Sequence, residues 1–213
     1  MTNRFTQSTY HTICDELAVI DADLQNVINT HGYPPFWSRP NTFETLLHII
    51  LEQQVSLASA LSALNKLKER LQEITPARIL LLNDAEMKAC YCSRQKTMYI
   101  RYLAEALLSG QLNLTELEDM PDDVIRAKLT ALKGIGHWTA DVYLMFVLQH
   151  PDVFPVGDLA AVNAIKRVKK LPATVTKEEM LTVAAKWQPY RIIATMLLWH
   201  FYLSSPRNGG LIV

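Results

Sequence analysis

The chain has 213 residues, of which 49% are hydrophobic and 20% charged, so it can bury a core as one domain or two small lobes. Its formal net charge is zero, which excludes a uniformly basic protein, but residues 161–213 carry eight basic and two acidic side chains. No run of about 18 to 20 apolar residues is present, which excludes a membrane-spanning helix, and three cysteines exclude an even disulfide framework.

Hydrophobic residues recur mostly at helical spacing, whereas the alternation typical of strands is nearly absent. We therefore predict an all-α protein of about ten helices. In chain order, the predicted helices lie near residues 8–29, 42–52, 57–72, 76–82, 84–90, 94–108, 121–131, 137–149, 159–169 and 189–203. No repeat of about 30 to 45 residues is visible, which disfavours a helical solenoid.

The most informative segment is Leu132-Lys-Gly-Ile-Gly-His-Trp-Thr-Ala-Asp141, which lies between two predicted helices. Gly134 and Gly136 let the backbone turn tightly and approach another molecule, because neither carries a Cβ atom. The following helix directs its free N–H groups out of the turn, which favours an anion such as a DNA phosphate, with Lys133 at the rim. These residues alone fit an ordinary helix–helix turn equally well.

A second segment, Val153-Phe-Pro-Val-Gly-Asp158, ends 22 residues after Gly136, just before a predicted helix. The start of a helix favours a negative charge by about 0.3–1 kcal/mol. A carboxylate there can stabilise a nearby positive charge and can orient or deprotonate a water molecule. Taken alone, Asp158 is better explained as a simple N-cap.

With these two segments, the sequence resembles the helix-hairpin-helix DNA glycosylase superfamily, whose hairpin reads L-x-G-[IV]-G and is followed by an essential aspartate. The resemblance implies that Asp158 is catalytic in hydrolysis of the glycosidic bond of a damaged base. It also implies two helical lobes with the helix-hairpin-helix motif flanking a cleft between them. Residues 42–149 would form a helical barrel lobe that ends in the hairpin, and residues 1–41 plus 150–213 the second lobe, which carries Asp158.

The branch of the family is indicated by Trp138, which occupies the position of the nucleophilic lysine in lyase-competent members. This implies hydrolysis by water that leaves an abasic site, without a lyase step. The clustered cysteines of iron–sulfur members are missing, so no iron–sulfur cluster is expected. Together with Arg39-Pro40 and Trp187-Gln-Pro-Tyr-Arg191, these features resemble the alkylpurine branch, of the 3-methyladenine DNA glycosylase II type, in its compact form. That branch excises purines such as 3-methyladenine and 7-methylguanine.

The resemblance assigns substrate-binding roles to Trp138 and Trp199. Their π-faces would favour a cationic alkylated base by about 0.5–2 kcal/mol. Tyr143, one helical turn beyond Trp138, is a further candidate. Core packing is the alternative explanation for all three side chains.

A DNA-binding role is implied for two turns. The turn Gln53-Gln54-Val55 resembles the family's wedge loop, which fills the gap left by a flipped base. Gln54 would be the inserted side chain, although many relatives have leucine there, and helix capping by the glutamines is the alternative. The DNA-binding residues expected from both turns are Gln53, Gln54, Val55, Ser56, Lys133, Gly134, Gly136 and Thr139.

The family's hairpin also binds a monovalent cation through main-chain carbonyl groups. By position, those of Thr130, Leu132 and Ile135 would hold Na⁺ or K⁺, and no other cofactor is expected. The implied partner is double-stranded DNA with a damaged base. We expect a monomer with no membrane partner, nucleoid-associated in a bacterial cytoplasm or nuclear in a eukaryote.

Three other functions fit the same residues. One is a glycosylase of the same fold that removes uracil, thymine, adenine or deaminated bases from mispairs. The second is a non-catalytic helix-hairpin-helix protein that only binds DNA, and the third is a generic helical interaction protein. The basic run Lys166–Lys170 fits either a DNA contact or a solvated helix end, and the cysteines are expected to be reduced structural thiols.

Overall fold

A computed structural model of the protein describes residues 5–205, so the outer ends of the predicted second lobe, residues 1–4 and 206–213, lie outside it. Over the described range the regular structure consists of thirteen α-helices, one π-helical turn and one 3₁₀ turn, and it includes no strand. The predicted all-α class is confirmed. Among these helices none combines the length and apolar character needed to cross a bilayer.

Backbone contacts divide the described chain into two compact units. The terminal unit comprises the residues up to Ser38 and those from Leu144 onward, and the central unit is Arg39–Tyr143. These limits differ by a few residues from the lobe boundaries predicted at 41/42 and 149/150.

The terminal unit contains α1 (Gln7–Ile20), α2 (Ala22–His31), the π-helical turn Leu144–Leu148, α11 (Leu159–Val168), α12 (Lys177–Ala184), the 3₁₀ turn Ala185–Trp187 and α13 (Arg191–Ser204). Its core forms around α13, which is apolar on nearly every side and buries all of residues 192–198. Helices α1, α2 and α11 pack against α13. The fully buried Trp187 fills the space beside them.

The central unit contains α3 (Phe43–Glu52), α4 (Leu57–Leu71), α5 (Pro76–Leu80), α6 (Asp84–Ala89), α7 (Arg94–Leu108), α8 (Leu114–Leu117), α9 (Asp122–Thr130) and α10 (His137–Tyr143). Its core forms around α3, which packs against α4, α7 and α10. Eight of the ten residues of α3 are buried, so this helix is enclosed on most sides.

Two helix predictions differ from the structure, and two further helices were not predicted. The helix predicted near 8–29 is broken at Asp21, whose backbone is extended and whose side chain accepts the N–H groups of Asp23 and Leu24, starting a new helix. The helix predicted near 137–149 changes from α to π after Tyr143. The sequence analysis missed α8 and α12, although α12 begins with a Thr176–Glu179 capping box.

The three cysteines are free and buried, as predicted. Cys90 and Cys92 share no metal-ligand cluster with other side chains in residues 5–205. A thiol that is buried among apolar groups resists ionisation, and burial raises the pKa of Cys92 to about 12. These side chains therefore act as small apolar core residues.

A buried ion pair joins the start of α2 to the end of α11. Lys169 Nζ lies 2.6 Å from Asp21 Oδ2 and 2.9 Å from Asp23 Oδ2, and Trp187 Nε1 donates to Asp21 Oδ2 at 2.7 Å. Burial alone would raise the pKa of Asp21, but hydrogen bonds from Lys169 and Trp187 and the lysine charge outweigh it, so the pKa is lowered. Lys169 therefore stabilises the fold and is not available as a DNA contact.

Two other cations of the basic run, Lys166 and Arg167, also have internal contacts. Lys166 Nζ donates to the Ala173 carbonyl at 3.3 Å, and the Arg167 guanidinium lies 4.9 Å from the ring centre of Phe201. The run is accordingly a helix end whose side chains are used mainly within the terminal unit.

We expect Asp21→Asn to lower the free energy of unfolding by about 2 kcal/mol at pH 7, because asparagine still caps α2 but no longer neutralises the half-buried Lys169. The lowered pKa of Asp21 means that its stabilisation is present above the unfolded carboxyl pKa of about 3.9 and is lost as the pH falls through the folded value. Urea unfolding at pH 7 and pH 3 should therefore show the deficit of the variant shrinking in acid. A deficit of equal size at both pH values would contradict the ion pair as its source.

Candidate functional site

Asp158 is the N-cap of α11, the position predicted from its sequence context. Its Oδ1 atom accepts the Ala161 N–H at 2.8 Å and the Trp199 indole N–H at 3.0 Å. The side chain is only 7% exposed, and the N–H groups of the first helical turn lie beside it. A carboxylate in this position is fixed in orientation by two donors, and the helix dipole favours its negative charge.

Trp199, whose indole N–H donates to this carboxylate, lies two turns into α13. Its ring stacks on Phe146, with centroids 5.1 Å apart and planes at 29°, and meets the edge of Trp37 at 6.3 Å. The sequence analysis singled out Trp199 but missed its hydrogen bond to Asp158 and missed both aromatic neighbours. No local signal marks Phe146 or Trp37, because they come from chain segments about 50 and 160 residues away from Trp199.

The Trp187–Arg191 motif has a structural explanation in the terminal unit. Trp187 is a core residue bonded to Asp21, whereas Arg191 pairs with Asp152 through Nε to Oδ1 at 2.6 Å and Nη2 to Oδ2 at 3.0 Å. Asp152 directly precedes the segment that ends in Asp158. The motif thus connects the start of α13 to the chain that carries the carboxylate.

The hairpin lies in the central unit, between α9 and α10. Its turn is closed by the Ile135 N–H, which donates to the Leu132 carbonyl at 3.1 Å, and both of these side chains are buried. An ion pair between Arg126 of α9 and Asp141 of α10 joins the two helices. Two helices joined by a tight hairpin, as predicted for the helix-hairpin-helix motif, are therefore present.

Within the hairpin turn, position 134 requires glycine. Its φ is +93°, a conformation that L side chains rarely adopt, and a Cβ atom would overlap the ring of Tyr99 on α7. Gly136, in contrast, has open space around the position of a Cβ. The sequence analysis predicted a need for both glycines, and the structure shows a steric reason for Gly134 only.

Gln53 connects the turn after α3 to the hairpin. Its Nε2 atom donates to the Gly134 carbonyl at 2.8 Å and to Thr139 Oγ1 at 3.0 Å, and Thr139 is 1% exposed. Both residues were predicted to bind DNA, but in this structure their side chains bind each other and the hairpin backbone. These hydrogen bonds connect the turn after α3 to the hairpin, and the DNA contacts of both residues stay a prediction.

Gln54, Val55 and Ser56 form the outer part of the same turn. Gln54 is exposed and has φ +56°, so the turn directs this side chain away from the core, and Val55 is 40% exposed. Ser56 is the N-cap of α4 and accepts the Ser59 N–H at 3.2 Å. The geometry fits an inserted Gln54 side chain, and it also shows that capping is done by Ser56.

Arg39 stabilises the start of this turn through an ion pair. Its guanidinium pairs with the buried Glu52, the residue before Gln53, at 3.0 and 2.7 Å. His48 lies 3.6 Å from the same carboxylate, and burial lowers the pKa of His48 although Glu52 opposes the shift. The Arg39-Pro40 motif was recognised by resemblance, and the structure gives it this supporting role.

The remaining predicted side chains of the central unit differ in exposure. Lys133 is exposed, with its Nζ 5.0 Å from the ring centre of Tyr102, and Trp138 is half-buried. Tyr143 is fully buried, and its hydroxyl donates to Asn41 Oδ1 at 2.5 Å. The structure therefore places this side chain in the core, which is the alternative explanation given for it above.

The carbonyl groups predicted to hold a cation lie at the end of α9 and within the turn. The Leu132 carbonyl accepts one hydrogen bond, from Ile135, and a carbonyl oxygen has two lone pairs, so it can also ligate an ion. The donor set is neutral oxygen, which suits a hard monovalent cation. These residues fit the implied group.

Comparison with known proteins relates the hairpin and the segment that carries Asp158 to DNA repair enzymes. Residues 47–189 match the family model described as HhH-GPD superfamily base excision DNA repair protein. The chain is 31% identical over 190 residues to DNA-3-methyladenine glycosylase 1 of Schizosaccharomyces pombe, which covers 86% of this chain and 83% of that protein. It is 29% identical over 172 residues to a DNA-3-methyladenine glycosylase of Bacillus subtilis, over 75% of this chain and 57% of that protein.

A solved structure supports the same relationship. The Schizosaccharomyces pombe 3-methyladenine DNA glycosylase Mag1 in complex with abasic DNA superposes with a TM-score of 0.80 at 27% identity, over 88% of this chain and 95% of that one. The chain spans less than two thirds of the length of two Bacillus subtilis relatives, at 64% and 57%. Since the family model covers well over half of its residues, this chain belongs to the HhH-GPD superfamily of base excision DNA repair proteins.

Proposed function

We propose that this protein is a monofunctional DNA glycosylase that hydrolyses the N-glycosidic bond of alkylated purines extruded from duplex DNA and leaves an abasic site. The observation that carries the proposal is the Asp158 carboxylate, buried at the start of α11 and held by the Ala161 and Trp199 N–H groups. Relatives named as 3-methyladenine glycosylases support the same substrate class.

The chemistry assigned to Asp158 follows from its charge. As the glycosidic bond breaks, its electron pair leaves with the base, and positive charge develops on the deoxyribose. The carboxylate stabilises that charge and accepts a proton from the water that attacks C1′. A base that carries a positive charge from alkylation leaves as a neutral molecule, so it needs no general acid.

Substrate selection is assigned to aromatic side chains. Trp199 is already aligned by Phe146 and Asp158, and we propose that it and Trp138 favour a cationic base through their π-faces, by about 0.5–2 kcal/mol. Tryptophan at position 138 provides no amine, so no Schiff base forms there and the reaction ends at the abasic site.

DNA binding is assigned to the hairpin and to the turn after α3. The exposed Lys133 and the backbone around Gly134 and Gly136 would contact phosphates, while Gln54 would fill the space left by the extruded nucleotide. A monovalent cation held by the carbonyls of Thr130, Leu132 and Ile135 would add positive charge beside a phosphate. Because Gln53 bonds to the hairpin, both contacts would keep a fixed spacing.

A panel of duplex oligonucleotides, each with one lesion, tests the proposal. We expect abasic sites to form in duplexes that contain 3-methyladenine or 7-methylguanine. Strand cleavage should follow only after alkali is added. Release from uracil or mismatched duplexes alone would instead favour the same-fold mispair glycosylase. Binding to DNA without release from any lesion would favour the non-catalytic alternative.

Trp199→Phe separates the indole N–H from the aromatic ring. We expect a decrease of about 10- to 100-fold in single-turnover rate, because a hydrogen bond to a charged group contributes about 1.5–3 kcal/mol, while affinity for abasic DNA stays unchanged. Trp187→Phe is the matched control, since Trp187 donates in the same way to Asp21. It should lower the melting temperature without changing the rate. A normal rate in Trp199→Phe would show that the hydrogen bond has no catalytic role.

A further inference from the structure

The segment that carries Asp158 is attached to α13 at two points. Trp199 bonds to Asp158 itself, and Arg191, the first residue of α13, bonds to Asp152 at the other end. Arg191 makes three hydrogen bonds there, at 2.6 and 3.0 Å to the two carboxylate oxygens and at 3.1 Å to the main-chain carbonyl. Eight residues separate the two contacts, which is about 12 Å along the helix axis.

The chain between these attachments has little freedom. The Val156 N–H donates to the Phe154 carbonyl at 2.9 Å, and the Asp158 N–H donates to the Pro155 carbonyl at 2.8 Å. The side chains of Val153 and Phe154 are buried. A displacement at residue 152 is therefore transmitted to the carboxylate instead of being absorbed by a flexible loop.

We propose that Arg191 is a positioning residue for the glycosidic reaction, acting through Asp152 to set the position of the Asp158 carboxylate. The inference rests on the proposed function and names a determinant of its rate. The planar guanidinium matches both carboxylate oxygens at once, and a lysine ammonium cannot reproduce that geometry.

A contribution to stability alone does not explain the pair. The Arg191 and Asp152 side chains are 22% and 32% exposed, so water screens part of their attraction and limits the stability that the pair contributes. The Ile192 N–H also donates to the Pro151 carbonyl at 3.0 Å, so the backbone stays attached to α13 without the guanidinium. Loss of the pair should therefore affect catalytic geometry more than folding.

Arg191→Lys tests the inference in single-turnover assays with a 7-methylguanine duplex. We expect the rate to fall by about 10- to 100-fold, since small misplacements of a catalytic group have effects of this size. Affinity for an abasic-site duplex should change by less than about twofold. Arg101→Lys is the matched control, because Arg101 likewise bonds to an aspartate, Asp84, and to a main-chain carbonyl, that of Leu82. The control should keep the wild-type rate.

Asp152→Ala, Arg191→Ala and the double variant provide a second measurement. If the pair acts as one unit, the double variant should be no slower than the slower single variant. Multiplicative losses would overturn the inference, as would a lower melting temperature with a normal rate per folded molecule. Equal losses in rate and DNA affinity would also overturn it, because they would assign the segment to binding.

The indole N–H signal of Trp199 in ¹H–¹⁵N spectra gives a readout that needs no activity. The chain has four tryptophans, and Trp199→Phe identifies the relevant signal. Arg191→Lys should shift this signal, and Arg101→Lys should not. An inactive wild type would reject the proposed function, while the signal would still decide whether Arg191 positions Asp158; an unshifted signal would overturn the inference.

Discussion

We expect the Asp158→Asn protein to fold, to bind duplex DNA and to release alkylated purines at least about 100- to 1000-fold more slowly than the wild type. Losing one preorganised electrostatic contact at a reacting centre has effects of this size. Asparagine and aspartate cap helices about equally well, and Asn Oδ1 can still accept the Ala161 and Trp199 N–H groups. The substitution therefore removes the charge while it keeps the local structure.

Asp21→Asn is a closely matched control for this experiment. Asp21 is also a buried N-cap that accepts a tryptophan N–H, at 8% exposure against 7% for Asp158. Its charge, however, is neutralised by Lys169, and we assign it no part in the reaction. We expect Asp21→Asn to lose stability and keep its rate per folded molecule. Asp158→Asn should keep its stability and lose its rate.

The measurements are single-turnover release of 7-methylguanine, affinity for an abasic-site duplex and thermal unfolding of both variants. Retained release by Asp158→Asn would refute hydrolysis by this carboxylate. Loss of DNA affinity in the same variant would instead assign Asp158 to binding. Both results can be read because the control separates a general aspartate-to-asparagine effect from a local one.

Most helices were predictable because their apolar residues recur at one period along the chain. The bounds of α7 were predicted without error at 94–108, where Ser93 caps a regular pattern. The pattern failed at Asp21, where the apolar period runs on through a break that tertiary contacts with Lys169 and Trp187 stabilise. No periodicity argument detects a partner about 150 residues away.

The candidate site shows the same limit. The position of Asp158 at the start of a helix was predicted because it depends on a local feature, an acidic residue after a Gly/Pro-rich segment, whereas its catalytic role was inferred from the family resemblance. The functions of Gln53 and Arg191 depend on hydrogen bonds to residues 81 and 39 positions away. Sequence resemblance identified both motifs, but only the coordinates show that one ties the turn after α3 to the hairpin and the other anchors the segment before Asp158.

Gly134→Ala is expected to disrupt the hairpin, with a loss of about 2–5 kcal/mol in stability and of most DNA affinity. Alanine at φ +93° costs about 1–2 kcal/mol, and overlap of its Cβ with Tyr99 adds about 1–3 kcal/mol. Relief of the overlap would move the turn away from α7 and so break the bond from Gln53 to the Gly134 carbonyl.

Two other glycines separate the causes of this effect. Gly110 has φ +76° with open space around a Cβ position, so Gly110→Ala should cost only the backbone strain, about 1–2 kcal/mol, and leave DNA binding intact. Gly136 has neither a positive φ nor a close neighbour, so Gly136→Ala should be nearly neutral for folding. Urea unfolding and binding of an abasic-site duplex would measure all three. Equal stability of the Gly134 and Gly110 variants would show that Tyr99 moves aside. In that case the backbone conformation would determine the shape of the hairpin, and packing against α7 would not.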